Sequence, residues 1–287
     1  MTLDEKLRTI REIVRKKRSL LVAFSGGIDS TLLAHIAHTE LPGNCRCVLA
    51  DSPLVPRAAL RQAEAVAKEL GIDLEILHVP LLDDPVFCSN PHDRCYGCKK
   101  ILAALLQKRA LELGISHVAD GSNISDTGEH RPGLAAATEE GIIHPFIDAG
   151  CTKDDIRMIA KNLGISTWQQ PSSACLASRI PYGDTVTAEK LHRIEEAEAF
   201  LAGLGIGQLR VRAHGSLARI EVPFADRDRI LEQHAVISEK FHALKFTYVT
   251  LDLDGFRTGS MDEVIRRKPA KKQSPGDPCS ENFPVSK

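Results

Sequence analysis

The chain has 287 residues, 43% of them hydrophobic and 26% charged, with a formal net charge of −1. That is enough apolar material for one large core or two smaller ones. It gives no overall basic field to attract nucleic acid, and no apolar run approaches membrane-spanning length. Because the N-terminus, Met1-Thr2-Leu3-Asp4-Glu5-Lys6, lacks the shape of a signal peptide, a cytoplasmic protein is expected. In a reducing compartment the eight cysteines argue against a disulfide framework, and clustered ones read as metal ligands or nucleophiles.

In chain order, Leu7, Ile10, Ile13 and Val14 mark an amphipathic helix over 4–17. Leu20-Leu21-Val22-Ala23-Phe24 has the length and composition of a buried strand, and Thr31 to His38 reads as a helix. Between them lies Ser25-Gly26-Gly27-Ile28-Asp29-Ser30. Glycines there let a backbone approach a ligand, and the serine hydroxyls and the helix start add donors. The pattern predicts an anion site for a phosphate. It is not of the Walker type, because no Gly-Lys-Ser/Thr follows. Asp29 inside such a cradle needs a metal ion or a backbone donor. The competing reading is a plain serine-capped turn.

Cys45 to Ala50 is a second strand ending at Asp51, Arg57 to Leu70 a helix closed by Gly71, and Ile72 to Val79 a third strand. Arg94-Cys95-Tyr96-Gly97-Cys98-Lys99-Lys100 opens a helix running to about Leu113, and Ser116 to Ala119 is a fourth strand. Asp120-Gly121-Ser122-Asn123-Ile124-Ser125-Asp126 leaves its carboxyl end, and Glu129 and Arg131 lead on into a short helix. Strands alternating with helices predict an α/β fold with a doubly wound parallel sheet. In such sheets ligands bind beyond the carboxyl ends of the strands, where Asp51 also falls. Thr152 caps a helix from Lys153 to Leu163, and Lys153 in its first turn is either solvated or paired with an anion. The long loop from Trp168 to Gly183 holds Cys175 and has the length of a functional loop.

A boundary is placed at Asp184, giving a nucleotide domain over 1–183 and a smaller α+β domain over 184–265. In the latter Thr187 caps a helix to about Leu204, 209–212 and 218–222 alternate as strands about His214-Gly215, a helical stretch follows Pro223, and Phe246 to Leu253 is a strand. Residues 266–287 are expected to be a disordered tail. Arg210 and Arg212, two apart on a strand, share a face. They either bind an anion such as a substrate phosphate or pair with Glu195, Glu196 or Asp226, while Glu221 pairs with Arg219.

The Ser25–Ser30 stretch matches all six positions of the Ser-Gly-Gly-x-Asp-Ser loop and so resembles the N-type ATP pyrophosphatases. That superfamily cleaves ATP between the α- and β-phosphates and adenylates a substrate oxygen. The resemblance implies ATP and Mg2+ as cofactors and assigns ATP contacts to Ser25, Gly26, Gly27, Asp29, Ser30, Asp51, Gly121 and Lys153. The segments Ser173-Ala174-Cys175-Leu176-Ala177-Ser178-Arg179, Arg94 to Lys99 and Leu209 to Gly215 further resemble the LarE family of ATP-dependent sulfur transferases, over about residues 5–265. Those enzymes adenylate a carboxylate of pyridinium-3,5-biscarboxylic acid mononucleotide and convert it to a thiocarboxylate for the nickel-pincer nucleotide cofactor.

The resemblance implies catalytic roles for Cys175, Asp29 and Arg179, and substrate contacts for Ser178, Arg179, Arg210 and Arg212. It also implies a homo-oligomer, with a hexamer as one form, and neither nucleic-acid nor membrane partners. Attack on an acyl adenylate needs a sulfur nucleophile, and Arg179, four residues after Cys175, can favour the thiolate. Taken alone, Cys175 also reads as a buried apolar cysteine, and its small, polar neighbours argue against that. Cys95 and Cys98 have ligand spacing. With Cys175 they match the branch of the family that holds a [4Fe-4S] cluster, whereas in the other branch the cysteine matching Cys175 gives up its own sulfur. Plain structural thiols are the competing reading of the pair. Two further readings stay open. A tRNA thiolase of the same superfamily needs an RNA-binding surface, and a nucleotide-sensing module without catalysis has no use for Cys175.

Overall fold

In the computed structural model, residues 1–127, 132–170 and 174–263 are described. Helix α1 (Leu3–Lys17) starts on a capping box, in which Thr2 and Glu5 satisfy each other's backbone N–H groups, and buries Ile10 and Val14. Strand β1 (Leu20–Ala23), helix α2 (Ile28–Glu40), strand β2 (Cys45–Asp51), helix α3 (Arg57–Glu69) and strand β3 (Leu74–His78) follow. Then come α4 (Pro85–Cys88), α5 (Arg94–Glu112), β4 (Val118–Ala119), α6 (Pro132–Glu139), α7 (Pro145–Asp148) and α8 (Lys153–Asn162).

The four strands form one parallel sheet in the order β3-β2-β1-β4. The chain moves outward from β1 to β3 and then crosses back to place β4 on the other side of β1. The switch point therefore lies between β1 and β4, where a parallel sheet opens a crevice at its carboxyl edge. The segments leaving these two strands are the glycine-rich loop and Asp120–Asn123. Leu20, Leu21 and Val22 are fully buried, as a strand covered by helices on both faces requires.

Several expected strands are shorter in the structure, the fourth reduced to Val118–Ala119. Ile72 N–H donates to Ala67 O and closes α3, so the strand after it begins at Leu74. Phe246 N–H donates to Phe241 O in the same way, and the last strand begins at Tyr248.

The remainder holds α9 (Ala188–Gly203), capped by Thr187, then β5 (Arg210–His214), β6 (Leu217–Glu221), α10 (Arg227–Glu232), α11 (His234–Ala243) and β7 (Tyr248–Leu251). Strands β5 and β6 pair antiparallel, and β7 runs parallel to β6. The core beneath this small sheet also takes in Leu54, Val79, Leu81 and Phe87 from the first half of the chain. A continuous apolar cluster thus ties the carboxyl edge of the large sheet to the small one. The expected tail at 266–287 and the residues Glu129, Arg131, Ser172 and Ser173 lie outside the described residues.

Candidate active site

The glycine-rich loop is wired internally. Ser30 Oγ accepts from Ser25 N–H at 3.1 Å, donates to Gly27 O at 3.0 Å and lies 3.0 Å from Ser25 Oγ. Gly26 has φ +72°, and a Cβ there would fall 2.6 Å from Ala63 Cβ on α3. Only glycine permits both this backbone and this approach. Gly121 meets the loop from the other strand end: a Cβ would lie 2.8 Å from Ser30 N and from the Asp29 carbonyl carbon. The bare backbone at 121 therefore lets the β4 exit pack on the start of α2. Asp29 is ion-paired with Lys153 and lies 3.5 Å from Asn123 Nδ2.

These elements line a cavity of about 930 Å3. Of the residues predicted to contact ATP or substrate, Ser25, Asp29, Ser30, Gly121, Lys153, Ser178, Arg210 and Arg212 line it. Gly26, Gly27, Asp51 and Arg179 do not, and the Asp51 carboxylate is paired with Arg57 at 2.6 Å, beside the cavity wall.

The far wall is built by Gln208, by Arg210 and Arg212 of β5, and by residues 256–262. Arg212 lies opposite Arg219 in the antiparallel register, a repulsive placement that Glu221 resolves. Glu221 is fully buried and accepts from Arg212 at 2.8 Å, Arg219 at 3.1 Å and Ser260 Oγ at 2.7 Å. Arg212 therefore pairs with Glu221 and not with Glu195, Glu196 or Asp226, and it also donates to Ser178 O at 3.0 Å. Arg210 forms no ion pair among the described residues; it donates to Leu209 O and lies over the Phe256 ring at 5.3 Å. Burial and the nearby Arg179 charge disfavour its charged form. An anion there would relieve both.

Arg179 is buried and makes a bidentate pair with Glu198 at 2.9 and 3.0 Å. It also donates to Ala174 O, Cys175 O and Ser178 Oγ. Its contacts thus hold the backbone of the Cys175 loop. A second brace comes from Arg94, which donates to Asn90 and to Ala177 O at 3.0 Å, and Asn90 donates to Pro181 O and Asp184 O. This lattice brings the start of α5, with Cys95 and Cys98, beside the Cys175 loop. Cys95 and Cys175 are exposed, and Cys98 is half-buried. Burial, then the charges of Cys175 and Cys95, push the Cys98 thiol up to about 12. Partial desolvation and Cys175 also raise Cys95. The three sulfurs are thus electrostatic neighbours. Among the described residues no group of three or more His, Cys, Asp or Glu side chains stands ready to hold a metal ion. The donor set suits thiolate-bound iron in chemistry, as neighbours and not as an assembled ligand set.

Sequence reasoning missed several residues. Asp120 at the end of β4 is 5% exposed, held by His144 Nδ1 at 2.7 Å and Ser122 N–H at 3.0 Å. Burial would raise its carboxyl, but the His144 hydrogen bond and the Lys99 charge override that and hold it well below the usual range. Its position at a strand end was visible, whereas a partner 24 residues away was not. Glu198 and the 256–262 wall gave no local signal beyond glycines 255 and 259.

A sequence profile of the NAD synthase family matches residues 3–86, which contain the glycine-rich loop. The chain is 35% identical over 267 residues to the pyridinium-3,5-bisthiocarboxylic acid mononucleotide synthase of Lactiplantibacillus plantarum, covering 93% of this chain and 97% of that protein. The chain belongs to the LarE family. An uncharacterized Synechocystis protein is 38% identical over 92% of this chain and the whole of its own length. The glutamine-hydrolyzing GMP synthase of Clostridium perfringens is 27% identical over 70% of this chain, matching 44% of that longer protein. The LarE match takes in both sheets. No helix among the described residues is long and apolar enough to cross a membrane.

Proposed function

We propose that this LarE-family protein is an ATP-dependent sulfur transferase that adenylates a carboxylate of pyridinium-3,5-biscarboxylic acid mononucleotide and converts it to a thiocarboxylate. The observation that carries this reading is the single cavity that runs from the glycine-rich loop to Arg210 and Arg212. Its size suits two nucleotides lying end to end more than one small metabolite.

ATP binds with its pyrophosphate end on Ser25, Gly26, Gly27 and Ser30 at the start of α2, where orphan N–H groups and the helix dipole favour anions. Lys153 and Asp29 neutralise that end, with Asp29 as the residue that would hold Mg2+. Arg210, without a carboxylate partner among the described residues, takes the mononucleotide phosphate together with Arg212. Arg179 and Ser178 fix the loop that presents Cys175. The substrate carboxylate attacks the α-phosphorus and pyrophosphate leaves. Sulfur then replaces AMP at the acyl carbon.

Cys95, Cys98 and Cys175 would hold a [4Fe-4S] cluster, whose open iron would supply sulfide. Sacrifice of the Cys175 sulfur is the second reading, favoured by the exposure of that thiol and by the absence of an assembled ligand set among the described residues. The division into domains 1–183 and 184–265, a cytoplasmic site of action and a homo-oligomer, with a hexamer as one form, belong to the same proposal.

Anaerobically purified protein is given ATP, Mg2+ and the mononucleotide. AMP, pyrophosphate and thiocarboxylate are expected, and ADP with orthophosphate would refute the proposal. Iron and labile-sulfide analysis, with the intact mass of the protein after turnover, separates the two sulfur sources. Loss of hydrogen sulfide from Cys175, leaving dehydroalanine, identifies the sacrificial one.

A further inference from the structure

Several cations lining the cavity are committed to protein partners. Arg94 is bound to Asn90 and Ala177 O, Lys153 to Asp29, and Arg212 to Glu221 and Ser178 O. Lys99 is held differently. Its Nζ lies 3.4 Å from Asp120 Oδ2, and that buried oxygen has no hydrogen-bond partner among the described residues. Asp120 Oδ1 is fully engaged by His144 and Ser122, and His144 Nε2 is fixed in turn by Thr138 Oγ1 at 2.9 Å. The carboxylate is thus locked from behind, and its second oxygen attracts the ammonium without closing a hydrogen bond. The Lys99 side chain is 37% exposed where it lines the cavity.

Its place in the cavity is also defined. Asp120 precedes Gly121, which packs on the Asp29–Ser30 peptide at the phosphate loop. On its own helix Lys99 follows Cys98. Lys99 therefore lines the cavity beside the phosphate loop, one residue along α5 from Cys98.

We propose that Lys99 contacts the substrate: its ammonium binds the carboxylate that is to be activated and follows it as the acyl adenylate, with Asp120 and His144 as positioning residues. The inference rests on the adenylation reading above. A carboxylate oxygen forms a bond to the α-phosphorus, the bond from that phosphorus to the bridging oxygen breaks, and pyrophosphate leaves with the electron pair. Lys99 keeps its proton throughout. Two anions must meet in this step, and a fixed cation between them lowers the repulsion without reorganising.

The test compares wild type, Lys99→Ala, Lys99→Met, Lys99→Arg and Lys100→Ala, each checked for an unchanged melting temperature. Lys100 is the control because it pairs with Glu139 and Glu140 and is not part of the cavity lining. Mononucleotide-dependent pyrophosphate release is expected to fall about 100-fold in Lys99→Ala and Lys99→Met, with a raised KM for the mononucleotide. ATP affinity by calorimetry is expected to change less than about twofold, because the phosphate loop is untouched. Lys99→Arg should recover part of the rate, and Lys100→Ala should match wild type. Pyrophosphate release at the wild-type rate in folded Lys99→Ala or Lys99→Met would overturn the assignment. If wild type itself releases no pyrophosphate, the adenylation reading falls. The Lys99 assignment is then decided by calorimetric binding of the mononucleotide in the presence of a non-hydrolysable ATP analogue, where equal affinity of wild type and Lys99→Ala overturns it.

Discussion

The glycine-rich loop lines the cavity, the cysteine edge adjoins it through Arg94, Lys99, Ala174 and Ser178, and the two are built in opposite ways. The loop is preassembled: Ser25, Gly27 and Ser30 bind one another, Gly26 is pressed on Ala63, and Gly121 closes on Asp29 and Ser30. At the cysteine edge the backbone is braced just as firmly, by Arg94, Asn90 and Arg179, but the three sulfurs form no disulfide, and those of Cys95 and Cys175 are exposed. The difference teaches where each half of the chemistry gets its energy. A phosphate site gains from donors fixed before the ligand arrives. A sulfur that must bind iron, or leave the protein, cannot be tied into the fold.

Loss of the support beneath the cysteine edge is expected to have the largest effect. Glu221→Ala leaves Arg212 and Arg219 without their shared carboxylate in a fully buried position, and Arg212 also holds Ser178 O. Stability should drop by about 3–5 kcal/mol in urea titration. An unchanged midpoint would mean that the arginine wall is not a unit.

Gly26→Ala attacks the other side of the comparison. The added methyl meets Ala63, and φ at 26 is +72°. A loss of about 1–3 kcal/mol is expected from overpacking and strain, together with weakened ATP binding by calorimetry. Wild-type ATP affinity in this variant would show that the loop adapts and is not preassembled.

A smaller effect belongs to Arg210→Ala. Its partner is proposed to be the mononucleotide phosphate, so KM for that substrate should rise roughly tenfold or more while KM for ATP stays near wild type. Equal loss for both would return Arg210 to a structural role.

The smallest effect concerns Cys98 in metal-free protein. Its thiol is pushed up to about 12, chiefly by burial. At about pH 8 it should alkylate slowly, and its rate should climb roughly tenfold per pH unit as the thiolate fraction rises. The folded value lies above the unfolded one. The stability this group contributes is therefore full below about pH 8.5 and declines as pH climbs toward the folded value. Fast alkylation at neutral pH would contradict the described surroundings of Cys98.

Much of the phosphate half was legible in the sequence because it is local. Ser25 to Ser30 are contiguous, the apolar run before them has strand length, and Thr152 and Thr187 cap the predicted helices. What escaped the sequence is what tertiary folding decides. Asp51 falls at a strand end as expected, yet Arg57 claims it. The partners of Arg212 were sought on the neighbouring helices, whereas the β5–β6 register delivers Glu221. Gly121 lines the cavity, and that its bare α-carbon is also backed against the phosphate loop has no local signal. The pairing of Asp120 with His144 spans 24 residues and joins two elements that only the sheet's switch point brings together.

The account's central claim is that one cavity couples ATP cleavage at the loop to sulfur transfer at the cysteine edge. The most direct measurement follows AMP, pyrophosphate and thiocarboxylate together, in wild type and in Cys175→Ala, with ATP, Mg2+ and pyridinium-3,5-biscarboxylic acid mononucleotide. Wild type should form all three, whereas Cys175→Ala should release pyrophosphate, keep AMP bound in the acyl adenylate and form no thiocarboxylate. Thiocarboxylate from Cys175→Ala, or ADP and orthophosphate from either protein, would contradict it.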